Sequence, residues 1–327
     1  MYLEKKKIAD EIYNYLKLSV RYKDKIRTKT VAYLGKGILT KEELKKAIAK
    51  YSPIAEEKKN EAIEELKFEL EKKDEFFLTK EQLQKIEEIR DKFNKKLKEL
   101  DEKTKKDMFN DFLTLYVYNT NAIEGNTFTL RDTDLLLNKG ITPQGKSLRE
   151  VNDHLNAKET FLFILAEKPK INHETIIKLH SLLMKNMDDR IGSYRLHNVR
   201  VFGATFESSP AEYVKADMNL LLRWYQKNKI RLHPLILAAA FHHKFERIHP
   251  FYDGNGRTGR MLLNLILLNN KLPQLILPDA QRRRYYKTLA SADKTGLAQV
   301  QHQHKEIIQF CYFNLLKTWN TVFGKWG

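Results

Sequence analysis

His249-Pro250-Phe251-Tyr252-Asp253-Gly254-Asn255-Gly256-Arg257-Thr258-Gly259-Arg260 lies between two segments of helical apolar period, about 234–247 and 256–269. The stretch is a turn that opens a helix. A glycine-rich loop at a helix N-terminus turns backbone N–H groups and the positive end of the helix dipole toward one point, which suits a phosphate. Arg257 and Arg260, three residues apart in the first turns of the helix, add charge-assisted donors for phosphate oxygens. Asp253 is a hard oxygen ligand suited to Mg²⁺ carried by a nucleotide, and His249 is a base able to take a proton near neutral pH. A base, a metal carboxylate and a phosphate cradle within twelve residues describe phosphoryl-type transfer to a hydroxyl. The twelve residues contain no Gly-Lys-Ser/Thr, so this loop is not a Walker A.

Outward from this loop, the apolar-periodic segments after about 105 read as a helical bundle, with capping signals at Thr129/Asp132, Ser147/Glu150 and Asn172. Residues 198–206 interrupt it: Val199 and Val201 alternate with Asn198 and Arg200 before Gly203, the pattern of a short hairpin. The N-terminal third differs. Leu16, Leu18, Val20 and Tyr22, then Ile26, Thr28, Thr30 and Ala32, alternate with polar residues around a turn at 22–25 and predict a β-hairpin ending near Gly35-Lys36-Gly37. Thr40 and Glu43 form a capping box for a short helix, and 55–100 is a charged helical segment broken near 76–79. The expected fold is therefore mainly α: a bundle at 105–327 with a short hairpin, preceded by a small α+β region at 1–104.

Composition sets the class. The 327 residues are 42% hydrophobic and 11% aromatic with only 13 Gly and 8 Pro, which excludes a disordered or collagen-like chain. Cys311 is the only cysteine, so there is no disulfide framework and no cysteine-based zinc site. The first residues carry no apolar leader and no stretch reaches the length of a membrane span, so the expected location is the cytoplasm, with no membrane partner. Lys and Arg exceed Asp and Glu by 17, and residues 1–50 hold 14 basic against 6 acidic side chains, which leaves nucleic acid open as a partner of the N-terminal region. His242, His243, His302 and His304 lack the carboxylate or cysteine spacing of a metal set and read as structural, His242 as a support for His249.

The twelve-residue stretch matches position for position the HPFx(D/E)GNGRxxR signature of the Fic family, and the resemblance extends over about 109–319. Members mostly transfer AMP from ATP to protein hydroxyls. The resemblance implies a nucleotidyltransferase that uses Mg²⁺ and ATP and acts on a Ser, Thr or Tyr of a protein of unknown identity. It implies His249 as general base, Asp253 as Mg²⁺ ligand, and Gly254, Asn255 and Gly256 as the α- and β-phosphate anion hole. Arg257 would hold phosphate, Arg260 the γ-phosphate. Gly192-Ser193-Tyr194-Arg195 followed by Val199 and Val201 resembles the family's target-binding flap, and Tyr285-Tyr286 its adenine-side wall, with Asp293 where some relatives carry Asn.

Thr120-Asn121-Ala122-Ile123-Glu124-Gly125 is similar to the family's inhibitory motif (S/T)xxxE(G/N), placed N-terminal to the catalytic loop as in class II members. Glu124 would then pair with Arg260 and block a productive γ-phosphate. An independent argument agrees: Glu124 stands at the end of a helix starting near 108 and closed by Gly125, where a carboxylate faces the negative dipole end and needs a cation. The reading is an autoinhibited protein adenylyltransferase. Removal of AMP with Glu124 orienting a water, use of another nucleotide, nucleic-acid binding and assembly as a homodimer stay open.

Overall fold

The structure, a computed structural model, describes residues 1–22, 25–70, 73–200, 207–293, 295–297 and 300–326. It forms two compact units, Met1–Phe76 and Phe77–Gly327. The chain runs β1 (Tyr2–Ile8), β2 (Glu11–Tyr22), β3 (Lys25–Lys36), α1 (Lys41–Leu70), α2 (Lys73–Phe77), α3 (Lys80–Glu99), α4 (Glu102–Ile123), α5 (Leu130–Lys139), α6 (Leu148–Glu167) and α7 (His173–Leu183). It continues through α8 (Val214–Asn228), α9 (Pro234–Ile248), α10 (Asn255–Asn269), α11 (Arg282–Ala292) and α12 (Lys305–Thr321). Among the described residues no helix is long and apolar enough to cross a membrane.

In the N-terminal unit the expected hairpin is present, with Tyr22 opposite Lys25, and β1 adds a third antiparallel strand in the order β1-β2-β3. The period-two pattern puts Leu16, Leu18 and Val20 on one face, where Val31, Ala55 and Ala62 complete a core under α1. Buried Asn14 donates to the carbonyls of Gly35 and Gly37, which fixes the end of β3. Glu65 on α1 accepts from Arg27 and Lys29. The capping box at Thr40 opens a helix of 30 residues rather than a short one, and Pro53 lies inside it.

In the second unit α9 and α10 pack against each other at the centre, α9 flanked by α8 and α12, and α10 by α4, α6 and α7. Nearly every side chain of α9 is buried, from Leu235 through Phe241 and Phe245 to Ile248, as is α10 from Asn255 to Leu267 apart from Gly256. Each fully buried Phe or Leu contributes about 1.5–3 kcal/mol, so the loop between these helices rests on the most firmly packed part of the molecule. The capping boxes at Thr129 and Ser147 and the Asn172 cap are all formed. The units divide at Phe76/Phe77 rather than at 104/105, because α3 buries Ile86, Ile89 and Phe93, and the Phe93 ring packs edge-on against Phe323 near the C-terminus. Its high charge lies on the opposite, solvated face. Of the expected hairpin, 198–200 have no regular structure; Val199 is half-buried, its carbonyl accepting from Ser208, and Val201 lies outside the described residues.

Candidate active site

The loop between α9 and α10 is held in one shape by three devices. His249 caps α9 in the left-handed region (φ +53°), which costs about 1–2 kcal/mol for a residue with a Cβ and ends the helix abruptly. Arg195, fully buried, compensates: its Nε donates to the His249 carbonyl at 2.7 Å, its Nη1 to the His197 carbonyl at 3.0 Å, and its Nη2 to the Ser209 carbonyl. The Arg195 backbone N–H also donates to the Pro250 carbonyl at 2.9 Å. The Asn255 side chain then staples the turn, accepting from the Phe251 N–H and donating to the Phe251 carbonyl, both at 2.9 Å. Phe251 is sandwiched from one side by the His180 ring, 3.6 Å away and nearly parallel, while His180 Nε2 bonds the Asp253 carbonyl at 3.0 Å.

Gly254 and Gly256 are demanded by space. Gly254 adopts φ +74°, and a Cβ there would come within 2.6 Å of Met184 Sδ. A Cβ on Gly256 would stand 2.3 Å from Glu124 Oε1. The Glu124 carboxylate therefore lies against Gly256 in the first turn of α10 and fills the space that a side chain there would take.

His249 Nδ1 lies 3.3 Å from the Glu246 carbonyl, a contact that places the proton on Nδ1 and leaves Nε2 as the basic nitrogen. Burial holds its pKa below the ordinary histidine value, so the ring is neutral at pH 7. His242 does not reach His249. Its Nε2 pairs with the Tyr285 hydroxyl at 2.6 Å, and burial pushes its pKa down to about 3. Asp253 is desolvated, which would raise its pKa, but Arg257, the Gly254 N–H and Arg149 outweigh that and hold it below the usual carboxylate range. Its Oδ1 accepts from the Gly254 N–H at 2.6 Å and its Oδ2 from Arg149 at 2.5 Å.

Arg257 pairs with Asp153 of α6 and reaches Asp253 at 3.4 Å. Arg260 is 3% exposed and held from α4 by three bonds: Nε to Thr120 Oγ1 at 2.8 Å, Nη2 to the Thr120 carbonyl at 2.9 Å, and Nη2 to Glu124 Oε1 at 2.7 Å. Its burial disfavours the charge, yet Glu124 reverses the balance and raises its pKa. Helix α4 ends at Ile123, Glu124 is its C-cap and Gly125 follows at φ +96°, the geometry that presents the carboxylate across to α10.

The structure thus brings together His249, Asp253, Gly254, Asn255, Gly256, Arg257, Arg260 and Glu124. Of the two tyrosines, Tyr285 is 1% exposed and spends its hydroxyl on His242, while Tyr286 is 42% exposed with Arg282 over its ring at 5.6 Å. Asp293 pairs with His243 at 3.2 Å. Arg149, Asp153 and His180 were not singled out from the sequence. The first two are one turn apart on α6, a spacing too common to signal a site, and His180 shows only as a polar residue on the buried face of α7.

Residues 170–267 match the Fic/DOC family profile. Over 251 residues the chain is 31% identical to a protein adenylyltransferase fic-1 of Caenorhabditis elegans, an alignment covering 74% of this chain and 48% of that protein. It is 35% identical over 187 residues to a protein adenylyltransferase Fic of Drosophila erecta, covering 55% of this chain and 37% of the relative. The chain spans about half the length of these curated relatives, or less. Among solved structures it is similar to a Fic domain containing signaling protein from Bacteroides thetaiotaomicron VPI-5482, with TM-score 0.66 and 27% identity over 72% of this chain and 94% of the other. A second similar structure is residues 134–508 of C. elegans Fic-1, with TM-score 0.62 and 28% identity over 75% and 71% of the two chains.

Proposed function

This chain belongs to the Fic/DOC family, and from that premise we propose that it is an autoinhibited protein adenylyltransferase, moving AMP from ATP to a hydroxyl of a protein target. In this reading His249 Nε2 takes the hydroxyl proton, the hydroxyl oxygen bonds the α-phosphorus, and the bond from that phosphorus to the bridging oxygen breaks to release pyrophosphate. The N–H groups of Asn255 and Gly256 at the start of α10, joined by that of Gly254 once Asp253 Oδ1 releases it, stabilise the charge that develops on the α-phosphoryl oxygens. Donors of that kind are typically worth about 10²–10³ in rate each. Arg257 and Arg260 hold the outer phosphates, and the exposed ring of Tyr286 is the one able to meet the base.

Asp253 fits a role as Mg²⁺ ligand: it is a single ionised carboxylate, half-open to solvent, beside the phosphate cradle, the kind of partner that a nucleotide-borne Mg²⁺ uses. Arg149 would have to release Oδ2 for it to bind. When bound, the ion would neutralise phosphate charge and orient the polyphosphate.

The observation that carries the autoinhibited reading is Glu124 Oε1, at once 2.7 Å from Arg260 Nη2 and above Gly256. It engages the arginine that in this reading would hold the γ-phosphate, and it stands against the first turn of the phosphate-binding helix. The same placement favours a second reading, release of AMP from a modified target, with Glu124 orienting water. Lysate incubated with α-labelled ATP and the Glu124→Gly chain is expected to show a labelled band that vanishes when His249→Ala is added to it. A band that survives loss of His249 rejects the assignment. If Glu124→Gly gains no transfer and loses release of AMP, release is the activity.

A further inference from the structure

We propose that the open face of the N-terminal sheet binds single-stranded nucleic acid, with bases stacked on Tyr13, Tyr15 and Tyr33. On β2 the even-numbered Asn14, Leu16, Leu18 and Val20 are buried, so the pleat turns Tyr13, Tyr15, Lys17 and Arg21 to the other face. The strand register completes that face: Tyr13 stands opposite Lys36 and Lys6, and Tyr15 opposite Tyr33 and Glu4. The rings cluster, with Tyr15 and Tyr33 centroids 5.3 Å apart and Tyr13 and Tyr33 at 6.3 Å. Tyr33 is 49% exposed, and among the described residues of its own unit the core and α1 pack on the opposite face of the sheet. An antiparallel sheet facing water normally shows polar side chains there; three neighbouring aromatic rings are a surface that wants a flat apolar partner.

Charge selects the partner. Lys6 and Lys36 lie over the Tyr15 and Tyr13 rings at 5.7 and 5.1 Å, and Lys17 and Arg21 extend the row along β2. Glu4 and Glu11 offset part of this, through Lys17 at 2.7 Å and Lys36 at 2.5 Å, so four cations against two carboxylates leave the face with a net charge of about +2. The whole sheet region, residues 1–36, holds ten Lys and Arg against four Asp and Glu. Aromatic rings interleaved with cations meet both parts of an unpaired strand, the base faces and the phosphates. A duplex, whose bases are already stacked on one another, offers only the phosphates.

The test is fluorescence anisotropy of the full chain with a labelled oligo(dT) or oligo(U) of about 15 nucleotides, a length within single-strand site sizes. Binding to the single strands is expected to exceed binding to a duplex of equal length. Release of two to four counterions gives a log-log salt slope of about −1.4 to −2.8. Tyr33→Ala should weaken binding about 5- to 100-fold and Tyr33→Phe should restore it, because stacking needs the ring and not the hydroxyl. Lys6→Glu, on an exposed strand and safe for folding, should weaken binding and flatten the slope even if Tyr33→Ala misfolds. Absent binding at low salt, equal affinity for duplex, or indifference to both Lys6→Glu and Tyr33→Ala would overturn the proposal. So would a dimer, seen by light scattering, that dissociates in Tyr33→Ala, since a second copy would then cover the face.

Discussion

Replacing Glu124 by glycine removes the carboxylate that meets Arg260 and clears the space over Gly256. The size of the effect follows from the contact. A charge-assisted hydrogen bond to a buried donor is worth about 1.5–3 kcal/mol, whereas an exposed ion pair is worth under about 1 kcal/mol. Here the donor, Arg260, is buried, but the Glu124 side chain is 35% exposed and makes a single N–H···O contact of 2.7 Å. The bias toward the blocked state is therefore about 1–2 kcal/mol, and its loss should raise transfer about 5- to 30-fold. Arg260 stays in place in the variant, because Thr120 holds it by two further bonds. The assay is the initial rate of AMP incorporation at saturating ATP. Glu124→Gln, which keeps the volume over Gly256 and loses the charge, should gain less, and Arg260→Ala should gain nothing. A Glu124→Gly rate equal to wild type at unchanged ATP affinity, or activation by Arg260→Ala, refutes the reasoning.

His249→Ala should lower transfer by about 10²–10⁴-fold with ATP affinity nearly unchanged, and wild-type-like labelling would remove His249 from the role of base. Burial keeps the His249 pKa below 6.5, so the acid limb of the rate profile should fall below that pH; a limb above it contradicts the geometry. Arg195→Lys keeps the charge but lacks the fork that holds three carbonyls, so unfolding should become easier by about 1–3 kcal/mol and transfer should drop with it; an unchanged melting temperature would argue against the clamp. Burial lowers the His154 pKa to about 4, below the 6.5 of an unfolded histidine, so the unfolded chain binds more protons between those values. The stability is whole above pH 6.5 and is lost as pH falls toward 4, by up to about 1.4 kcal/mol per pH unit. His154→Phe should flatten that fall, and an identical pH dependence would show that His154 does not contribute.

What could be read from the chain was what is local in it. Capping boxes at Thr129 and Ser147 involve residues three apart, and both helices start where the boxes say. The motif loop carries its own turn chemistry, and the structure draws Glu124 to Arg260 as the motif and the dipole argument anticipated. Strand β1 escaped because Glu4-Lys5-Lys6-Lys7 on an edge strand buries neither face and so leaves no alternation. The length of α1 escaped because the capping box at Thr40 marks where a helix starts and not how far it runs; the helix continues through Pro53 while Leu44, Ile48, Tyr51 and Ala55 pack on the sheet. Charge density along α3 says nothing of which unit it joins; its buried face of Ile86, Ile89 and Phe93 places it in the second. In the site, Arg149, Asp153 and His180 act on the loop from α6 and α7, and contacts of such long sequence separation leave no pattern near either partner.

The central claim is that this site transfers an adenylyl group rather than a phosphoryl group. The most direct measurement compares one target band, or the chain itself, after incubation of the Glu124→Gly variant with ATP labelled at the α-phosphorus and, separately, at the γ-phosphorus. Label retained from the α position alone, and lost with His249→Ala, is the predicted result. Label retained from the γ position, or from neither, would contradict it.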